Sequence, residues 1–297
     1  MIILRLRGGL GNQLFQYAAG KALASKHNTS LKLDLYSHSI HQYRKFELDN
    51  FKVQYELATK EEIQSFVGRF KLQRLCNKLY DYAFSKKAYA QPHYHFDEQF
   101  HQLPEDIYIS GYWQSERYFK QIEKEIRTDF QLSSAPNKQN QQLIEEISKV
   151  NAVGLHVRMG DYLSKEKYKS FFGGLDMSYY KNAIECINEK VSTPVFYIFS
   201  DNIEWCKKEF DYLQNAVFVD SNSGDQSYMD LMLMSKCKHN IIANSTFSWW
   251  GAWLNEHPKK IVIAPKKWFQ ADYNKKSVYK SSFYNTKDLI PENWLKL

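Results

Sequence analysis

The chain has little cysteine, the residue that builds zinc ribbons and cross-links secreted folds. Its four cysteines, Cys76, Cys186, Cys206 and Cys237, form no CxxC pair and no tight cluster with histidine. That excludes a zinc ribbon and a disulfide framework and fits a reduced, cytoplasmic setting. No window approaches the roughly 20 apolar residues of a membrane-spanning helix. Arg5 and Arg7 interrupt the first apolar run, so no signal peptide is expected. There is no DxD pair, hence no obvious carboxylate pair to hold a divalent metal against a diphosphate. No long basic tract points to nucleic acid, although the net charge is +7, and no internal repeat or low-complexity tract is present.

What is present is a 297-residue chain, long enough for two domains, in which 16% of residues are aromatic. Tyrosine and tryptophan pair an apolar face with a polar edge, which suits sugar stacking as well as cores. Apolar runs at Ala152–Val157, Val195–Phe199, Ala216–Val219, His239–Ala243 and Lys260–Ala264 are separated by helical patterns. This alternation predicts an α/β protein with largely parallel sheets. The polar stretch Ser133–Gln142 reads as a connector before a helix over Leu143–Val150. It divides the chain into domains 1–150 and 151–297. A helical stripe of Ile63, Phe66, Val67, Phe70, Leu75 and Leu79 lies beside Arg69, Lys71, Arg74, Lys78, Lys86 and Lys87. It is the candidate for a peripheral membrane contact, with a solvated basic face and a core-packed helix as the plainer readings.

In doubly wound sheets ligands sit at the carboxyl ends of the strands, and those positions are polar in this chain. Gly8, Gly9, Gly11 and Asn12 follow the first strand. Arg158, Gly160 and Asp161 follow a later one, Ser200 and Asp201 the next, and Asn244, Ser245 and Thr246 another. An arginine there can grip a diphosphate with two donors and keeps its charge; its structural alternative is an ion pair with Asp161. In HNIIANSTFSWWGAWL, His239–Leu254, a strand meets a hydroxyl-rich turn and then a helix carrying Trp249, Trp250 and Trp253 at spacings that place them on one side. A helix amino terminus offers free N–H groups and partial positive charge to an anion, although ordinary capping by Ser245, Thr246 or Ser248 would use the same residues. The turn Gly9-x-Gly11-x-x-Leu14 lacks the third glycine of a dinucleotide fingerprint, which counts against an oxidoreductase. A non-catalytic carbohydrate-binding protein would account for the aromatics but not for Arg158 and the hydroxyl turn.

Five motifs resemble those of glycosyltransferase family 11, the α-1,2-fucosyltransferases. They are GGLGNQLFQYA at Gly8–Ala18, GYWQSERYF at Gly111–Phe119, HVRMGDY at His156–Tyr162, FSDN at Phe199–Asn202 and ANSTFSWWGAWL at Ala243–Leu254. They run in order along nearly the whole chain. The resemblance implies a GT-B fold of two facing Rossmann-like domains, the first on the acceptor side and the second binding the donor. It also implies GDP-L-fucose as donor, a β-galactoside acceptor on an oligosaccharide or lipid-linked glycan, inversion at the anomeric carbon and no metal cofactor. Arg158 matches the essential arginine that holds the β-phosphate, with His156 and Asp161 at the motif's other polar positions. Met159 replaces a second arginine, leaving that position a packing role. Asn12 and Gly11 belong to the turn that reaches the donor, and Asp230 resembles the carboxylate set against guanine N1 and N2, its alternative being a favourable charge at a helix start. Asp201, Asn244, Ser245 and Thr246 complete the donor set. Tyr112, Trp113 and Gln114 are the acceptor candidates, and Asp161 and Glu116 are the candidates for general base by residue type.

Overall fold

The computed structural model describes residues 1–36, 45–67, 87–159, 175–269 and 285–297. The chain forms two compact units. One comprises Met1–Ser134 and Ser281–Pro291, the other Ala135–Lys280 and Glu292–Leu297. The division falls sixteen residues before the expected one at 150 because the helix expected over Leu143–Val150, placed there with the first domain, belongs to the second unit.

In the first unit the strands are β1 (Ile2–Arg5), β2 (Leu31–Asp34), β3 (Glu56–Leu57), β4 (Ala88–Ala90) and β5 (Ile107–Ser110), and the helices α1 (Leu10–His27), α2 (Lys60–Val67) and α3 (Glu123–Asp129). The strands make one parallel sheet in the order β3-β2-β1-β5-β4. On α2, Phe66 is buried with Ile3 and Tyr108, and Ile63 and Val67 pack against them. The described start of the basic stripe is therefore core-packed; residues 68–86 lie outside the described residues.

The second unit contains α4 (Lys138–Lys149), β6 (Asn151–Val157), α5 (Met177–Lys190), β7 (Pro194–Ser200), α6 (Ile203–Glu209), β8 (Ala216–Val219), α7 (Tyr228–Lys236), β9 (His239–Ile241), α8 (Thr246–Leu254), β10 (Val262–Ala264) and β11 (Leu295–Lys296). Its sheet is parallel throughout, in the order β8-β7-β6-β9-β10-β11. That is the doubly wound order 3-2-1-4-5-6 of a dinucleotide-binding fold. β6 is buried on both faces, as a central parallel strand must be. Val153, Leu155 and Val157 face a core built with Tyr180, Ala183, Ile184 and Ile187 of α5. α4 begins at Lys138, not near Leu143, because the Asn137 side chain accepts the Asn140 N–H at 2.9 Å and caps it. On α8 the tryptophans share one side, as expected: Trp249, Trp250 and Trp253 fall within about 100° of arc on a helix, and their rings pack on one another with centroids 5.0, 5.2 and 6.2 Å apart.

Among the described residues no helix is long and apolar enough to cross a membrane. The glycine turn after β1 is held in a conformation few residues adopt. Gly8 has φ +83°, and a Cβ there would lie 2.6 Å from the Asn12 amide nitrogen. Gly8→Ala is expected to lower stability by about 1–3 kcal/mol, from the left-handed backbone and the collision together. Urea denaturation checks this, and an unchanged midpoint would contradict the turn geometry.

Candidate functional site

The second sheet grows outward from β6 in both directions, β7 and β8 on one side and β9 to β11 on the other. Ligands of such sheets bind at the carboxyl ends of the two strands that flank this reversal, here β6 and β9. The register sets Val157 beside Ser200, so the next residues along, Arg158 and Asp201, fall opposite one another. The Arg158 guanidinium meets one Asp201 carboxylate oxygen at 2.8 Å, and the other oxygen accepts the Met159 N–H at 2.8 Å. The structural partner of Arg158 is thus Asp201, a residue named from sequence only as a donor ligand. Asp161 lies outside the described residues. The Arg158 side chain keeps 23% of its surface exposed, enough to reach a ligand from a fixed base. Met159 packs against the core of the unit, in keeping with an apolar residue at that position.

Beyond β9 the chain enters the hydroxyl turn. Ser245 is extended, with φ −134° and ψ 128°, and stands at the cap position of α8, yet its side chain makes no capping bond. The amides of the first turn have no carbonyl partner within the helix, and no acidic residue occupies that turn. The hydroxyl of Ser248 points backward, 3.2 Å from the Ser245 carbonyl and 3.4 Å from that of Ala243. The Asn244 amide donates to the Trp268 carbonyl at 3.2 Å, a role in holding the turn. Behind the turn, Tyr179 donates to the Ile242 carbonyl at 2.7 Å and fixes the end of the strand. Ser245 is buried and Thr246 half-buried.

His156, one residue before the end of β6, is buried with its ring 5.5 Å from that of Phe247 in the first turn of α8. Its Nδ1 is buried without a hydrogen-bond partner. Burial above all, opposed by the Asp201 charge and aided by Arg158, pushes its pKa down to about 3. The ring is neutral at pH 7, available as a hydrogen-bonding group and not as a charge. Asp230 stands in the first turn of α7, where its carboxylate accepts the Asn222 amide at 2.9 Å. Burial raises its pKa to about 7, and the Asn222 bond opposes the rise.

In the first unit the sheet reverses between β1 and β5, and there the first two sequence motifs meet. The Gln114 side chain donates to Asn12 Oδ1 at 2.8 Å, and the Arg7 guanidinium lies 4.4 Å over the Tyr112 ring, which stacks in turn on Tyr94 at 5.7 Å. Gly11 is buried in the first turn of α1. Two residues missed from sequence hold this turn. Gln13 donates to the carbonyls of Gly8 at 3.0 Å and Lys45 at 2.7 Å, and Gln16 exchanges two hydrogen bonds with the Arg7 backbone. Both amides are fully buried; polar residues at i and i+3 in the otherwise apolar α1 were the available signal.

One acceptor-side expectation needs correction. The Trp113 ring has no exposed surface, being packed on Phe100 at 4.8 Å and Tyr118 at 5.3 Å, so it offers no face to a sugar. Its backbone is left-handed, φ 54°, a strained state for a bulky residue, and its N–H and that of Tyr112 are held by Gln91 Oε1. Glu116 is salt-bridged to Lys120 at 3.1 Å on a short 3₁₀ turn.

Comparison with known proteins gives a consistent result. The sequence profile of Glycosyl transferase family 11 matches residues 1–286. An α-1,2-colitosyltransferase of Escherichia coli is 33% identical, the match covering 100% of this chain and 99% of the relative. The O-antigen biosynthesis glycosyltransferase WbnK of the same organism is 35% identical over 94% and 98%. Human galactoside α-(1,2)-fucosyltransferase 1 is 29% identical over 49% of this chain and 42% of its own length. Among solved structures, the α-1,6-fucosyltransferase NodZ soaked with GDP-fucose covers 88% of this chain and 94% of its own, with a TM-score of 0.53 at 16% identity. The two parallel sheets are accordingly those of a GT-B fold.

Asp230 generates a prediction on stability. Its folded pKa, about 7, stands above the ordinary 3.8, so ionisation costs the folded chain more than the unfolded one. The stability this group contributes is complete below about pH 4 and is lost as pH rises through about 7. Asp230→Asn should therefore gain on wild type as pH rises, by on the order of 2–4 kcal/mol at pH 8 relative to pH 4. Denaturation at both pH values checks it; a pH-independent difference would contradict the assignment.

Proposed function

The chain belongs to glycosyltransferase family 11, and on that premise we propose that it transfers L-fucose from GDP-β-L-fucose to the 2-hydroxyl of a terminal β-galactoside, with inversion and without a metal. One observation carries the reading: Arg158, clasped by Asp201, stands beside an uncapped helix amino terminus at the reversal point of the second sheet. Charge grows on the β-phosphate as the bond to fucose C1 breaks. A guanidinium with fixed orientation and a row of free amides stabilise that charge more in the transition state than in the ground state. Ser245 and Thr246 add hydroxyls to the same anion, and neutral His156 contributes a hydrogen bond. Asp230 accepts from the guanine N1–H and N2–H. The acceptor lies against the first unit, where Tyr112 and Tyr94 offer half-buried rings. The acceptor hydroxyl attacks C1 from the face opposite the departing GDP, and Asp161 and Glu116 are the base candidates. The 98% span of the WbnK relative supports an O-antigen glycan as acceptor, with the reaction in the cytoplasm, against the inner membrane where lipid-linked glycans are built.

A second donor is favoured by a specific observation. The colitosyltransferase relative matches this chain from end to end, and colitose is fucose without its 3-hydroxyl. Incubation with GDP-fucose or GDP-colitose and a panel of β-galactosides, the linkage read by NMR, decides between them; a linkage other than α-1,2 with both donors would overturn the proposal.

Arg158→Lys keeps the charge but loses the planar two-donor grip. Turnover should fall by the equivalent of about 2–4 kcal/mol in the barrier, comparable with removing an oxyanion donor. Near wild-type turnover in the folded variant would sink this role. Activity should also persist in excess EDTA, because Arg158 and the α8 terminus supply the charge a metal would otherwise bring. Strict loss on chelation, restored by Mn²⁺ or Mg²⁺, would contradict it.

A further inference from the structure

Asp230 sits at the end of a chain of side-chain amides that reaches back 93 residues in sequence to Asn137, the cap of α4. The Asn222 amide nitrogen donates to Asp230 at 2.9 Å and to Asn140 Oδ1 at 2.9 Å, and the Asn222 oxygen accepts the Asn140 amide at 2.8 Å. Asn140 spends its second N–H on Asn137 Oδ1 at 3.0 Å, the oxygen that also caps α4. Asn140 has no exposed surface and Asn222 only 6%. Every N–H of both amides is used, so neither can flip without leaving a buried group unpaired. The direction of the chain is fixed as well. When Asp230 is ionised it only accepts, so Asn222 donates to it, and the Asn140 oxygen then faces the Asn222 nitrogen.

We propose that Asn140 and Asn222 are positioning residues for base selection, locking the Asp230 carboxylate as an acceptor aimed at a purine that presents a ring N–H and an adjacent exocyclic N–H. This rests on the reading of Asp230 as the guanine ligand. Guanine offers both donors, hypoxanthine only the ring N–H, and adenine places an acceptor where the carboxylate expects a donor. A carboxylate free to rotate could still meet one donor; gripping two side by side requires a fixed plane. The amide pair supplies that plane, Asn140 from the first turn of α4 and Asn222 from the segment that follows β8.

The test is calorimetric titration of GDP and inosine diphosphate into the full chain. Wild type should prefer GDP by about tenfold, the worth of one charged hydrogen bond, and Asp230→Asn should abolish the preference. Asn140→Ala, with the milder Asn140→Ser and Asn222→Ala beside it, should cut the preference to below about threefold, with the kinetic loss falling on donor KM more than on kcat. A general loosening of the fold would weaken both nucleotides alike and leave the ratio at its wild-type value. If the three amide variants keep that ratio while Asp230→Asn loses it, the positioning role is overturned and the guanine reading stands. If Asp230→Asn also keeps it, the guanine reading itself fails and the positioning role with it.

Discussion

The candidate site of the second unit depends on the register between β6 and β7. Parallel strands advance together, so pairing Val157 with Ser200 delivers Arg158 and Asp201 to adjacent positions at the edge of the sheet. The resulting ion pair fixes the guanidinium, and the bond from the Met159 N–H to the same carboxylate fixes the chain that carries it. A slip of one residue would send Arg158 to the other face of the sheet. The buried alternation of Val153, Leu155 and Val157 against α5 forbids that slip. The apolar packing of the second unit is therefore what aims its central charge.

Buried amides do for the turns what apolar side chains do for the strands. Gln13 and Gln16 fasten the glycine turn of the first unit, and Asn137, Asn140 and Asn222 tie Asp230 to the cap of α4. A buried amide that loses its partner costs about 1–3 kcal/mol, so each network holds a loop to one conformation. The two sets stand at the carboxyl ends of their sheets, where an apolar contact could not hold a polar turn open to a ligand.

Much of this was legible in the sequence. The expected strand Ala152–Val157 falls one residue short of β6 at its start, Val195–Phe199 one residue short of β7 at each end, and Ala216–Val219 coincides with β8. The run of β-branched and aromatic residues between helical patterns carried that information. Polar positions just after strands led to Arg158, Asp201 and Asn244–Thr246 because the carboxyl-end rule needs only strand direction. What was not legible depends on partners far apart in the chain. Nothing local marks Asn140 as the partner of Asn222, and its polar surroundings read as a connector. Trp113 sits in a motif with polar neighbours, yet a left-handed backbone turns its ring into the core. Arg158 pairs with Asp201, 43 residues away in sequence, which strand register sets opposite it and no local pattern announces.

The central claim is that the diphosphate rests on the amino terminus of α8 beside Arg158. It is tested most directly by titrating GDP and guanosine into wild type and into the Ser245→Ala, Thr246→Ala double variant, with thermal melting as the control. Because the Ser245 side chain does not cap the helix, melting should change little, guanosine affinity should hold, and GDP affinity should fall by about tenfold or more as the hydroxyl contacts to phosphate are lost. An equal loss for the two ligands, or a loss of stability with GDP affinity intact in the folded protein, would contradict the account.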